Sequence, residues 1–187
     1  MTATVPESTW TPSRPDCPFP ERWSAVDAYA TEVEVTELVA AFVRALQPDF
    51  CVETGSWVGT TARAIGQALV RNGHGDLVSL EIDPVKARVA ARLCEDLPVT
   101  IVEESSMTYR PDRRIDFAWF DCDAHRRQDA FRSLLPWMHA RTVVGFHDTG
   151  PQHPVRGLLE PLEREGLLVG ALYLPTPRGV CFARVGV

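Results

Sequence analysis

Short apolar runs in this chain end on groups able to do chemistry: Glu53 after Phe50 to Val52, Glu81 after Leu77 to Leu80, Asp121 and His125 after Phe117 to Phe120, and His147-Asp148 after Thr142 to Phe146. Carboxylates beside histidines are the usual material of proton transfer near neutral pH. The stretch from Asp49 to Thr61, D-F-C-V-E-T-G-S-W-V-G-T-T, is the most informative. It runs a buried strand into an acid, then a loop carrying Gly55 and Gly59, then a helix start. Gly55 permits a sharp turn or a close approach to a ligand, and Gly59 permits the following helix to pack close against the strand. A dinucleotide fingerprint would read G-x-G-x-x-G and aim a helix N-terminus at a pyrophosphate. Here a carboxylate comes first and would repel phosphate, so a cationic or zwitterionic ligand is expected.

These groups need a scaffold that gathers strand ends, and periodicity supplies one. From about Thr31 to Leu46, Val35, Leu38, Val39, Phe42 and Leu46 fall at helical spacing before Pro48. Ala62, Ile65 and Leu69 mark the face of a second helix that stops at Asn72-Gly73. Asp83-Pro84 starts a third by side-chain capping and a proline at the first helical position, with Val85, Val89 and Leu93 as its expected buried stripe. Strands are expected at Phe50 to Val52, Leu77 to Leu80, Val99 to Val102, Phe117 to Phe120 and Thr142 to Phe146, with a helix from about Arg126 to Leu135. This alternation implies a parallel sheet with right-handed crossovers. Leu167 to Leu174 and Val180 to Val185 are joined by a linker too short for a helix and should pair antiparallel.

The 187 residues suffice for one core. Residues 1–22, with Pro6, Pro12, Pro15, Pro18 and Pro20, read as a proline-rich arm, and 23–187 as a single domain. A formal charge of −6 and the lack of a long Lys or Arg run disfavour nucleic acid. No apolar run approaches the roughly 20 residues of a membrane span, and the first residues lack a leader pattern. The odd number of cysteines, Cys17, Cys51, Cys94, Cys122 and Cys181, reads as reduced core thiols. A soluble cytoplasmic protein is expected.

The order of Glu53, Gly55, Gly59 and Thr61 resembles the first motif of class I S-adenosylmethionine-dependent methyltransferases, and the antiparallel end of the sheet resembles their seven-stranded, mostly parallel Rossmann-like α/β fold with helices on both faces. The resemblance covers about Val33 to Val185. It implies that Glu53 and the loop Gly55, Ser56, Trp57, Gly59 and Thr60 hold the methionine moiety, that Glu81 accepts the ribose hydroxyls, that Ser105 and Ser106 border the adenine beside Met107, and that Asp121 faces the sulfonium. The acids after the fourth and fifth strands resemble the metal-dependent small-molecule O-methyltransferases of the catechol and antibiotic-tailoring type. Carried over, Asp121, His147 and Asp148 would hold Mg2+, which lowers the acceptor hydroxyl's pKa and fixes its direction. Two departures stand out. His147 is a softer ligand than magnesium favours, and the catechol enzymes' lysine position is Ala124, leaving His125 as the neighbouring base and, with Asp121, the catalytic candidate.

The expected activity is methyl transfer from S-adenosylmethionine, leaving S-adenosylhomocysteine, to the hydroxyl of a small molecule, in secondary metabolism. Trp10, Trp23 and Trp57 could wall the acceptor pocket, with the proline-rich arm, Arg110 to Arg114 and Gly150 to Arg156 as its cover. Homodimers are common in this resemblance class. Two alternatives stay open: a protein of the same fold and cofactor that catalyses a cyclisation or rearrangement, and a nicotinamide oxidoreductase, which Glu53 and the missing third glycine disfavour.

Overall fold

A computed structural model describes residues 17, 19–27 and 29–187. Most of the proline-rich arm, Trp10 included, lies outside the described residues. Along the chain run α1 (Val33–Leu46), β1 (Phe50–Thr54), α2 (Thr60–Asn72), β2 (Asp76–Glu81), α3 (Pro84–Leu93), β3 (Val99–Glu103), β4 (Phe117–Phe120), α4 (Arg127–Leu134), β5 (Val143–His147), α5 (Val155–Arg164), β6 (Leu168–Leu174) and β7 (Val180–Val185). The strands form one seven-stranded sheet of order β3-β2-β1-β4-β5-β7-β6. The first five neighbours are parallel, and β7 pairs antiparallel with both β5 and β6. The Rossmann-like arrangement read from the sequence is therefore the observed one. Strand order reverses between β1 and β4, the place where open α/β sheets leave a crevice at their carboxyl ends.

Helices cover both faces. On one, Val35, Val39 and Val43 of α1 and Ala62, Ile65 and Leu69 of α2 bury against Cys51, Phe117, Trp119 and Phe182. On the other, Ala130, Phe131 and Leu134 of α4 and Val155, Leu159 and Leu162 of α5 bury against Phe50, Phe120, Val144 and Phe146. Residues of β1 and β4 are buried on both sides, which explains why their sequences are continuous apolar runs. Gly73 closes α2 at φ 79°, and the Asp83 carboxylate accepts from the amides of Val85 and Lys86 at the start of α3, as the residue types suggested.

One expectation fails and one helix went unread. The stripe of α3 that is buried is Ala87, Ala90 and the following Cys94, whereas Val85 and Val89 are largely exposed. Small residues win that face because α3 lies close against the chain at Gly59: a Cβ on Gly59 would lie 2.8 Å from Ala90 Cα and 2.9 Å from its Cβ. Gly59 thus serves contact with α3 rather than with its own strand. The other miss is α5, which contains Gly157 and Pro161, residues of poor helical propensity. Its buried stripe of Val155, Leu159 and Leu162 supplies through packing what propensity withholds.

Candidate active site

At the carboxyl ends of β1, β2, β3 and β4 lies a cavity of about 540 Å3. Its walls are Gly55, Ser56, Trp57, Thr60 and Thr61 from the first loop, Glu81 and Asp83 after β2, Ser105, Ser106 and Met107 after β3, and Asp121, Cys122, Asp123 and Arg126 after β4. Tyr29, Ala30 and Thr31, in the segment leading into α1, complete it. Residues far apart in sequence and singled out by type therefore share one cavity: Gly55, Ser56, Trp57, Thr60, Glu81, Ser105, Ser106 and Asp121.

Gly55 is required by the crossing it makes. Its φ is 86°, and a Cβ there would lie 2.6 Å from the carbonyl oxygen of Asp121 and 2.7 Å from the amide nitrogen of Cys122. Neither backbone atom can yield, so the loop after β1 lies directly on the end of β4 only because position 55 lacks a side chain. Trp57 takes a left-handed φ of 49° without being glycine. Three contacts hold it there: its amide donates to Glu81 Oε2 at 2.8 Å, its indole N–H donates to Asp27 Oδ2 at 3.0 Å, and the Lys86 ammonium sits 3.6 Å from a ring centroid. Burial works against the Asp27 charge, but the Trp57 indole and the amides of Tyr29 and Ala30 hold its carboxyl below the ordinary value. Glu81 also accepts from the Asp83 amide at 3.0 Å, so each of its oxygens is oriented by a backbone N–H and each keeps a lone pair.

Glu53 and Gly59 are not part of the lining. Glu53 is fully buried beneath the loop, where the Ser79 hydroxyl donates to it, and Ser79 Oγ lies 2.5 Å from Ser56 Oγ. Burial pushes the Glu53 carboxyl up to about 8, against the Ser79 hydrogen bond, and the neighbouring Asp121 and Glu81 charges add to the rise. It is therefore mostly neutral at pH 7 and reaches the cavity only through the two serine hydroxyls. The direct contact with a cationic ligand expected from its sequence position is not what the fold provides.

The acids of the strand-four and strand-five rim do come together. Asp121, His147 and Asp148 offer ligand atoms within 4.8 Å of one another. Asp121 Oδ1 accepts from Arg127 Nη2 at 2.7 Å and lies 3.1 Å from His147 Nδ1, and its Oδ2 accepts from the Thr31 hydroxyl at 2.6 Å. Asp148 Oδ2 accepts from the same Arg127 Nη2 at 2.6 Å, and its Oδ1 accepts from Arg178 Nε at 2.6 Å. His147 Nε2 lies 2.5 Å from Glu32 Oε2. Burial alone would lower the His147 value, but Asp121, Asp148 and Glu32 outweigh it and raise it to about 10, so the ring is an imidazolium at neutral pH. Burial would raise the Asp148 carboxyl, yet His147, Arg127 and Arg178 hold it far below the carboxylate range. Three carboxylates thus face three cations.

That donor set does not fit a divalent ion. Every oxygen of Asp121 and Asp148 is engaged by the protein's own donors, and both nitrogens of His147 face carboxylates. A metal-bound histidine must be neutral with a free lone pair. The expected ligands are adjacent, as read, but the position between the two carboxylates is taken by the Arg127 guanidinium. His125 is exposed and outside the lining; its backbone amide donates to Asp123 Oδ1 at 2.9 Å. The base expected there is not among the lining residues, and His153 lies 3.5 Å from Asp148 Oδ1, beside the cluster. Sequence reasoning missed Thr31, Glu32, Arg127 and Arg178. Arg127 had a readable signal, since it precedes Ala130, Phe131 and Leu134 at three, four and seven residues, on the buried stripe of its helix.

A family model described as a methyltransferase domain matches residues 52–149. No curated protein matches. Among solved structures, TomG from Streptomyces achromogenes, an O-methyltransferase involved in tomaymycin synthesis solved with S-adenosylmethionine, superposes with a TM-score of 0.71 at 18% identity, covering 87% of this chain and 84% of its own. An O-methyltransferase from Bacillus cereus solved with S-adenosylhomocysteine gives 0.71 at 16%, covering 85% and 84%. Cofactor-bound Rv0187 from MTB gives 0.74 at 15%, covering 85% and 83%. With a match over more than half its length on the strands and loops that build the cavity, the chain belongs to the methyltransferase-domain family, as a class I S-adenosylmethionine-dependent enzyme.

Proposed function

We propose that the chain transfers the methyl group of S-adenosylmethionine to a hydroxyl of a small molecule, in secondary metabolism. The observation that supports this reading is the order of groups along one cavity: hydroxyls of Ser105 and Ser106 beside Met107 for the adenine, the backbone-oriented carboxylate of Glu81 for the ribose, the loop from Gly55 to Thr60 for the methionine moiety, and then Asp121 with Thr31. TomG, of the same fold, is an O-methyltransferase involved in tomaymycin synthesis. Among the described residues no helix is long and apolar enough to cross a membrane.

The reaction is a single displacement. An acceptor oxygen bonds to the methyl carbon, the carbon–sulfur pair stays with sulfur as S-adenosylhomocysteine forms, and the hydroxyl proton passes to solvent water. Burial would raise the Asp121 carboxyl, but His147 and Arg127 keep it below its ordinary value, so it is ionised and a weak base. Its role is then to accept a hydrogen bond from the acceptor hydroxyl and aim the oxygen at the methyl group, the positional part of catalysis. A weak base suits an acceptor whose hydroxyl is already acidic, such as a phenol.

The first test is calorimetric titration of S-adenosylhomocysteine into the wild type and Glu81→Ala. Binding weakened in the variant by about 1.5–3 kcal/mol is expected for loss of charge-assisted hydrogen bonds. Incubation with S-adenosylmethionine and a panel of phenols and aliphatic alcohols, read by mass spectrometry, follows. Cofactor binding without any methylated product across such a panel would count against hydroxyl methylation and favour a non-methylating step.

A further inference from the structure

We propose that Arg127 is a built-in cation occupying the place of a divalent ion between Asp121 and Asp148, so that this chain orders its reactive carboxylate without metal. Asp121 follows β4 and Asp148 follows β5, adjacent parallel strands, so two carboxylates meet at one sheet rim and need a positive charge between them. The guanidinium supplies it. One nitrogen, Nη2, donates to Asp121 Oδ1 at 2.7 Å and to Asp148 Oδ2 at 2.6 Å. Nε donates to the Cys122 carbonyl at 2.9 Å, and Nη1 donates to the His147 carbonyl. The Arg127 side chain is 3% exposed and uses all three of its nitrogens on the two strand ends it joins.

A magnesium ion needs oxygens at about 2.0–2.1 Å in near-octahedral geometry and keeps several waters. To enter here it would have to expel a guanidinium held by four acceptors, and the remaining carboxylate oxygens are taken by Thr31 at 2.6 Å and Arg178 Nε at 2.6 Å. The arginine cannot lose its proton in a protein, so the cation is permanent. Arg127 does not line the cavity and acts on the reaction through Asp121; it is a positioning residue.

The test is a titration of Mn2+ into the purified chain followed by its electron paramagnetic resonance, alongside S-adenosylhomocysteine affinity with Mg2+ and with EDTA. The wild type should leave Mn2+ free and show the same affinity in either condition. A stoichiometric Mn2+ removed by EDTA, or an affinity that Mg2+ changes by about tenfold, the scale of effects on metal sites, would overturn the proposal. Arg127→Ala opens the position between the carboxylates and should acquire Mn2+ binding, seen also as a metal-dependent rise in melting temperature. A folded Arg127→Ala that ignores Mn2+ would equally overturn the substitution. Arg127→Lys restores a single charge and should return the chain to indifference toward Mn2+, a rescue that a merely structural arginine would not give. If Arg127→Ala does not fold, the wild-type titration decides alone. Because no turnover is measured, failure here is separate from failure of the methyl-transfer reading.

Discussion

Replacing Gly55 by alanine sets two costs against each other, and the fold provides the control that separates them. Both Gly55 and Gly73 adopt left-handed backbone, at φ 86° and 79°. An added Cβ at Gly73 meets nothing within 4 Å, whereas at Gly55 it would lie 2.6 Å from the Asp121 carbonyl oxygen and 2.8 Å from the carbonyl carbon. Gly73→Ala therefore carries only the conformational strain of a side chain in the left-handed region, about 1–2 kcal/mol. Gly55→Ala carries the same strain plus an overpacking cost of typically about 1–3 kcal/mol, for a total near 2–5 kcal/mol. Part of that excess can be relieved by lifting the loop from β4, which would displace Ser56 and Trp57 from the cavity wall. Urea unfolding of the two variants, with S-adenosylhomocysteine calorimetry on each, reads both outlets. Gly55→Ala should lose more stability than Gly73→Ala, or lose ligand affinity that Gly73→Ala keeps. Equal stability and equal affinity in the two variants would refute the argument that Gly55 is there for close approach.

The folded state should weaken on the alkaline side. His147 is raised from 6.5 to about 10, so its stabilisation is full below about pH 6.5 and is lost as pH rises toward 10. Glu53, raised from 4.5 to about 8, acts in the same direction, its contribution full below 4.5 and gone above 8. Unfolding free energies from urea titrations between pH 6.5 and 9.5 should fall, by up to roughly 1.4 kcal/mol per pH unit for each proton held; a flat or rising profile would contradict the assigned environments. Asp148, lowered, contributes in the opposite sense, with stability present above the ordinary carboxylate range and lost in acid. Glu32→Ala leaves a buried His147 nitrogen and the Arg178 amide without their carboxylate, and should cost about 3–5 kcal/mol by thermal or urea unfolding, as removal of one partner of a buried pair does.

What the sequence disclosed was local. The caps at Asp83 and Gly73, the strand β4 between its exact neighbours, and the glycines of the first loop are each decided by residues a few positions apart. What it withheld depended on distance. Val85 and Val89 outrank Ala87 and Ala90 in hydrophobicity, and only the approach of α3 to Gly59 makes the smaller pair the buried one. Arg127 shares the apolar stripe of its helix, but its task is not readable within H-R-R-Q-D until β4 and β5 bring two carboxylates beneath it. Thr31 and Glu32 carry no motif at all; they are placed by a segment that returns over strand ends encoded far downstream. The cavity wall after β1 and β2 follows from short motifs, while the rim after β4 and β5 is assembled from long-range pairs.

The Glu32–His147 contact joins positions 115 residues apart. Tying such a span in a free chain would cost about 4 kcal/mol of loop-closure entropy, and the contact itself cannot form until β4 and β5 lie side by side. The segment before α1 is then expected to settle late in folding, after the sheet. Hydrogen exchange pulsed during refolding would read that order directly: protection at Tyr29 to Val33 should follow protection in β4 and β5, which makes the last-placed part of the chain the one that covers the rim of the cavity.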